Sequence, residues 1–247
     1  MLHQYLFVVC PNASGSTLWT KLIGTSPNAS LFPAVRHEGQ NVKGAAHLMP
    51  IPQGPETGLW TAYEERFTNE ANYDWSAIKA LWQNNWDMNK AVLVEKSPPN
   101  VLRAHLLAGY FQPSKFLFSI RNPYPVCESL HRKNINRPTW EACATHWVKC
   151  ARWQMRHLSR RENSIYITYE ELCGNTEKVA QRLIEFIPEL GSLDTSRQFS
   201  IHSHNKPISN LNAASIEHLS REDIKAINNV LKHYPEELRY HGYDLLS

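Results

Sequence analysis

The chain has 247 residues, 42% of them hydrophobic and 20% charged, with a formal net charge of +3. That size suits one α/β domain, and so small a charge excludes bulk nucleic-acid binding while leaving room for a local basic pocket. With no apolar run of about 18 residues, no basic n-region before an apolar stretch and no CxxC pair among five cysteines, the expectation is a reduced, cytoplasmic protein without a membrane span or metal site.

Tyr5 to Val9 is an apolar, β-prone run. It breaks at Cys10-Pro11, passes through Asn12, Ala13, Ser14, Gly15, Ser16 and Thr17, and enters a helical pattern at Leu18. Strand, small-residue loop and helix is the build of a phosphate cradle, where loop amides and a helix N-terminus converge on an anion. Gly15 permits close backbone approach, and Ser14, Ser16 and Thr17 add hydroxyl donors. Taken alone, the stretch is equally an ordinary βα turn with a serine-rich cap.

Ser26-Pro27-Asn28 stops the first helix. Leu31 to Val35 reads as a short second strand that ends near Arg36-His37-Glu38-Gly39. Residues 40–58 are rich in Gly and Pro, lack periodicity, and read as a long substrate-facing loop. Trp60 to Phe67 reads as a short helix. Asp74 or Ser76 caps another to about Met88, with Trp75, Ile78, Leu81, Trp82 and Trp86 near helical spacing. These tryptophans read first as core and second as walls of a pocket for an organic acceptor.

Ala91 to Val94 is a buried-strand run ending in Glu95-Lys96-Ser97-Pro98-Pro99-Asn100, and Asn100 caps a helix to about Tyr110. Lys115 to Ile120 is the next strand, ending in Arg121-Asn122, with Pro123 where a helix starts. Thr139 caps a long helix to about Arg160. Ser164 to Thr168 is a further strand, followed by Tyr169-Glu170-Glu171-Leu172 and a helix through Leu183 and Phe186. Ser220 opens a helix with a Ser-x-x-Asp capping pattern.

The alternation predicts an α/β, three-layer fold, with a mostly parallel central sheet flanked by helices. It predicts one domain over residues 1–247, with 40–90 and 135–160 as substrate-side elaborations. Ligands of such a sheet sit at the carboxyl ends of the strands. The cradle, Glu95-Lys96, Arg121 and Tyr169 all fall at those ends.

In this order the motifs resemble those of the sulfotransferases that use 3′-phosphoadenosine 5′-phosphosulfate (PAPS). PNASGST at Pro11–Thr17 is similar to the loop after their first strand. KFLFSIRNPYPVCES resembles their second signature, a strand, an Arg and a helix-start Ser eight residues later, here Arg121 and Ser129. VLVEKSPPN resembles a Glu-Lys-Thr/Ser-Pro segment, IYITYEELCGN a strand with a Tyr near the adenine, and Lys206-Pro207 and LRYHGYDLL C-terminal features. The resemblance implies a P-loop-like fold and PAPS as sulfuryl donor. It also implies 3′,5′-adenosine bisphosphate (PAP) as product, no metal, and a hydroxyl acceptor on a small molecule or glycan. The stretch Asn12, Ala13, Ser14, Gly15, Ser16, Thr17 and Leu18 would hold the 5′-phosphosulfate, and Arg121 with Ser129 the 3′-phosphate. Tyr169 would lie at the adenine, and Lys206 near the sulfate or the 3′-phosphate.

One departure stands out. Ala13 falls where the family carries Lys or Arg, with Asn12 as an extra residue. Alanine cannot neutralise a leaving phosphate, so the cation must come from elsewhere. Lys96 is preferred, with Lys21 and Lys206 as alternatives. Glu38 is the preferred base, His37 its titratable rival and Glu95 a third. His202 and His204 could pair on a metal, but with no third ligand evident they read as flanking the cofactor or facing solvent. Two other functions stay open. One is a non-catalytic PAP- or PAPS-binding module, which Ala13 makes credible. The other is a P-loop nucleotide kinase, although no Gly-Lys-Ser/Thr follows the cradle.

Overall fold

The computed structural model describes residues 2–53, 56–134, 136–160, 162–197, 199–201, 204–206 and 208–247. Its central sheet has five strands in the order β2-β3-β1-β4-β5. They are β1 (Gln4–Val9), β2 (Ala29–Ser30), β3 (Val92–Glu95), β4 (Ser114–Phe118) and β5 (Ser164–Tyr166). Every pairing is parallel. A hairpin of β6 (Phe199–Ile201) and β7 (His204–Lys206) stands apart and was not expected from the sequence.

The helices along the first half are α1 (Ser16–Ile23), α2 (Glu56–Leu59), α3 (Glu64–Thr68), α4 (Trp75–Gln83) and α5 (Asn100–Tyr110). Then follow α6 (Pro123–Lys133), α7 (Trp140–Leu158), α8 (Tyr169–Gly174) and α9 (Thr176–Phe186). The C-terminal part adds α10 (Asn212–Ile216), α11 (Arg221–Leu231) and α12 (Pro235–His241). Among the described residues no helix is long and apolar enough to cross a membrane.

β1 and β3 are buried along their whole length, as parallel strands covered on both faces must be. Side chains alternate across the sheet. Tyr5, Phe7, Val9, Phe116 and Phe118 enter a core shared with α4 and α5. Leu6, Val8, Cys10, Val94 and Leu117 enter a second core, with α1 and α9. A third cluster joins α6, α7, α11 and α12 around Trp147 and Leu231.

The chain leaves β1 through α1 for the far edge at β2, and later crosses from β3 through α5 to β4 on the other side of β1. Strand order therefore reverses at β1, and the crevice at such a reversal is where open α/β sheets hold ligands. The ends of β1, β3 and β4 meet there.

The second strand differs from expectation. It covers only Ala29–Ser30, and the stretch expected to be strand turns away, with a 3-10 turn at Val35–His37. Pro33 lacks the N–H that a sheet ladder needs, and Phe32 enters the core. Residues 40–58 are not plain loop, since 3-10 turns at Gly39–Asn41 and Ala45–His47 anchor Val42 and Ala45 in the core. Trp60, Trp75, Trp82 and Trp86 are core residues. The helix expected after Tyr169 is two, divided at Asn175, whose side chain caps α9. Asn100 is the first residue of α5 and not its cap.

Candidate active site

The cradle begins at the C-terminal end of β1. Ala13 and Gly15 both take left-handed backbone, with φ of 61° and 89°. A Cβ on Gly15 would lie 2.7 Å from Tyr169 Cδ2, so glycine is needed for the turn and for the ring packed on it. Gly15 is the N-cap of α1 and no side chain caps the helix. The amides of Ser16 and Thr17 open α1 and have no intrahelical carbonyl to meet, which leaves a positive helix end. Ser14 Oγ is buried and meets no hydrogen-bond partner among the described residues.

Two expected cradle residues face elsewhere. Leu18 turns into the core, and its amide donates to Gly15 O at 2.8 Å. Asn12 turns outward from the loop: its Nδ2 donates to Gly58 O at 2.9 Å, and its Oδ1 lies 3.0 Å from His146 Nε2. The extra residue is thus a staple that ties the loop to α7.

Arg121 follows β4 and is 8% exposed. Its Nη1 donates to Ala13 O at 3.2 Å and its Nε to Asn212 Oδ1 at 2.7 Å. The guanidinium lies 4.4 Å from the Tyr169 ring centroid, while Nη2 is buried and meets no partner among the described residues. Tyr169 is held in turn. Its hydroxyl donates to Ser209 O and accepts from Leu211 N. Burial pushes the phenol up to about 12, and the Arg121 charge opposes that rise in part. The ring is nearly buried between Arg121 and Gly15, which leaves little open face for an adenine. Ser129 is buried well inside α6, since that helix begins at Pro123 and not near Ser129.

The charged pair comes from the turn between Val35–His37 and Gly39–Asn41 and from the residue after β3. Lys96 Nζ donates to Glu38 Oε1 at 2.8 Å, and both side chains are buried. Glu38 Oε2 accepts from Gln40 Nε2 at 2.6 Å and Asn41 Nδ2 at 3.3 Å. Glu95 fixes the same turn through its backbone. Its Oε1 accepts from Gly39 N at 3.1 Å and Ser97 Oγ at 2.5 Å, and its Oε2 accepts from Asn100 Nδ2. A Cβ on Gly39 would lie 2.8 Å from the Trp82 ring, so only glycine fits this contact. His37 is exposed, with Nδ1 2.7 Å from Phe32 O. Lys96 acts on the Cys10 thiol at the end of β1, partly opposing the burial that pushes that thiol up to about 12. The ammonium is therefore electrically close to the root of the cradle.

A family model described as the sulfotransferase family matches residues 6–189. This chain belongs to the sulfotransferase family. Its fold resembles the sulfotransferase domain from the curacin biosynthetic pathway, at TM-score 0.57 and 19% identity, covering 99% of each chain. It also resembles the sulfotransferase domain of the Synechococcus PCC 7002 olefin synthase, at TM-score 0.61 and 18% identity, over 99% of this chain and 96% of that one. A mouse sulfotransferase, SULT7A1, solved as a complex with PAP, aligns at TM-score 0.50 and 15% identity, over 96% of this chain and 85% of that one. No curated protein sequence matches the chain significantly.

Sequence reasoning about this sulfotransferase missed three contributors. His146 lies buried behind the loop, with Nδ1 2.8 Å from Thr61 Oγ1, and burial lowers its pKa to about 3. Its only sequence signal was a place on α7 beside the apolar stripe, four residues from Cys150. Asn212 had no signal, because it meets Arg121 from 91 positions away. Lys133 ends α6, where burial, helped by the charges of Arg132, Arg121 and Arg36 and opposed by Glu128, lowers its pKa. Of the remaining expected residues, Lys206 and His204 fall in β7, where side chains are not described, and His202 lies outside the described residues.

Proposed function

We propose that this protein transfers a sulfuryl group from PAPS to a hydroxyl of an organic acceptor. The observation that carries the reading is the pair of polar groups at the cradle, Ser14 Oγ and Arg121 Nη2, buried and without a partner among the described residues, with Arg121 also bonded to Ala13 O. A dry guanidinium nitrogen and hydroxyl without partners are costly unless a ligand completes them, and the uncapped α1 terminus beside them favours an anion. The donor nucleotide has two separate anionic groups to match these two features. On this reading the amides of Ser16 and Thr17 and the hydroxyl of Ser14 receive the 5′-phosphosulfate. Arg121, aided by Ser129, receives the 3′-phosphate, and Tyr169 backs Arg121 and offers the adenine an edge. Lys206 is a further cation for the same nucleotide.

The new S–O bond forms to the acceptor oxygen as the S–O bond to the nucleotide phosphate breaks. Lys96, held by Glu38, supplies the positive charge that Ala13 cannot. The acceptor proton goes to His37, whose Nδ1 donates to Phe32 O and so leaves Nε2 with its lone pair. Residues 40–90 supply the acceptor side. A surface cleft of about 500 Å³, lined by Val35, Val42, Ala46 and Ile51, opens beside Gln40 and Asn41, which hold Glu38. Its apolar lining suits the body of an organic acceptor.

The test is calorimetric binding of PAP followed by an acceptor screen with labelled PAPS. Binding with transfer supports the reading, and metal-dependent ATP turnover without PAP binding would overturn it. Ala13 at the cradle favours a second reading, a non-catalytic nucleotide-binding module. It expects tight PAP binding and no transfer to any acceptor.

A further inference from the structure

The C-terminal segment crosses over the strand ends and touches the candidate nucleotide site at three points. Ser209 O and Leu211 N hold the Tyr169 hydroxyl. Asn212, the first residue of α10, offers both ends of its carboxamide. Oδ1 accepts from Arg121 Nε at 2.7 Å, and Nδ2 donates to Glu170 Oε1 at 2.7 Å. Glu170 is itself fixed, since Oε1 accepts from Asn122 N at 3.0 Å and Oε2 from the Tyr243 hydroxyl at 2.7 Å. With Nε, Nη1 and one face of the guanidinium engaged, Nη2 is the nitrogen left without a partner among the described residues.

We infer that Asn212 is a positioning residue that aims Arg121 and thereby sets the preference for a 3′-phosphorylated nucleotide. The inference rests on the reading of Arg121 as the 3′-phosphate clamp. Without Asn212, the Nε edge loses its fixed acceptor. Only the Ala13 carbonyl and the Tyr169 ring then orient a side chain with several rotatable bonds. A neutral carboxamide suits this work. It accepts from the guanidinium without neutralising it, so the full positive charge stays available to phosphate. A carboxylate in the same place would compete with the ligand. Glu170 stands one hydrogen bond further away, where it orients the carboxamide through Nδ2 and makes no described ion pair with Arg121.

The experiment compares PAP with adenosine 5′-monophosphate, which differs by the 3′-phosphate alone, by calorimetry on the full chain. Wild-type protein is expected to prefer PAP, and Arg121→Ala to abolish the preference. Asn212→Ala is expected to weaken PAP binding about tenfold, the scale of a lost hydrogen bond to a charged group, with monophosphate affinity unchanged and a modest fall in Tm. Asn212 is half-buried on a five-residue helix, so the substitution leaves the core intact. Equal losses for both nucleotides would reveal a merely structural role and overturn the inference. So would a preference for PAP that is undiminished in Asn212→Ala. A wild-type protein with no preference for PAP would overturn the reading of the site and the inference with it.

Discussion

Lys96 Nζ and Glu38 Oε1 stand 2.8 Å apart with 1% and 6% of their side chains exposed, so the turn after Val35–His37 is joined to the end of β3 by an ion pair almost out of water. Removing one member of such a pair strands the other. Lys96→Ala is therefore expected to cost about 3–5 kcal/mol, as breaking buried pairs does. The double variant Lys96→Met with Glu38→Gln is expected to regain much of that stability, because no buried charge is left unpaired. Turnover should stay lost in both, and PAP affinity should change less than turnover. Urea unfolding and labelled sulfuryl transfer separate these effects. Wild-type turnover in Lys96→Ala would move the cation to Lys206 or Lys21.

Gly15 combines a backbone and a packing requirement. Its φ of 89° disfavours any side chain, and a Cβ would meet Tyr169 Cδ2 at 2.7 Å. Gly15→Ala is expected to lose about 1–2 kcal/mol from the backbone alone. It must also push Tyr169 against Arg121, so PAP affinity should fall with stability. Urea unfolding and PAP calorimetry check both. Full affinity in a destabilised Gly15→Ala protein would uncouple the ring from the clamp.

The strand ends were legible because the apolar stretches of β1, β3 and β4 give way to polar or charged residues at or just after the strands end. Cys10-Pro11, Glu95-Lys96 and Arg121 mark those ends in the chain as they do in space. Contacts that cross the sheet were not legible. Asn12 meets His146 across 134 positions, and nothing near either residue marks the other. Ser129 shows a subtler limit. Its spacing from Arg121 was readable, and Pro123 was readable as the helix start, yet the two were not combined: a helix from Pro123 already puts Ser129 well inside α6. Lys96 and Glu38 were each legible as charged groups near the site, while their pairing required the turn that Gly39 makes against Trp82.

Two histidines make stability depend on pH. Burial lowers His146 to about 3 and His241 to about 4. An unfolded histidine titrates near 6.5, so below that pH the unfolded chain takes up protons that the folded chain refuses. Their contribution to stability is therefore complete above the unfolded value and declines as pH falls. Each is expected to remove roughly 2 kcal/mol between pH 6.5 and 5, at about 1.4 kcal/mol per unit. His146→Gln keeps a donor for Asn12 but has no proton to gain, so it should halve the combined slope. Urea midpoints at pH 7 and 5 measure this, and an unchanged slope would show that His146 charges freely in the folded state.

His37 and Glu38 are adjacent, yet their contacts differ. Glu38 accepts from Lys96, Gln40 and Asn41. Both oxygens of that carboxylate are already occupied by donors from the protein. His37 is exposed and its Nδ1 donates to Phe32 O, the tautomer that leaves Nε2 ready to accept a proton. It also sits on left-handed backbone, φ 56°, after Arg36 at φ 58°. Two successive non-glycine residues in that region cost about 1–2 kcal/mol each, strain that gathers where a side chain must be presented. His37→Asn is expected to lower kcat about a hundredfold or more while PAP still binds. Glu38→Gln should lower turnover and stability together, because Lys96 loses its partner. A His37→Asn protein with wild-type kcat, beside a stable and inactive Glu38→Gln protein, would return the base to Glu38.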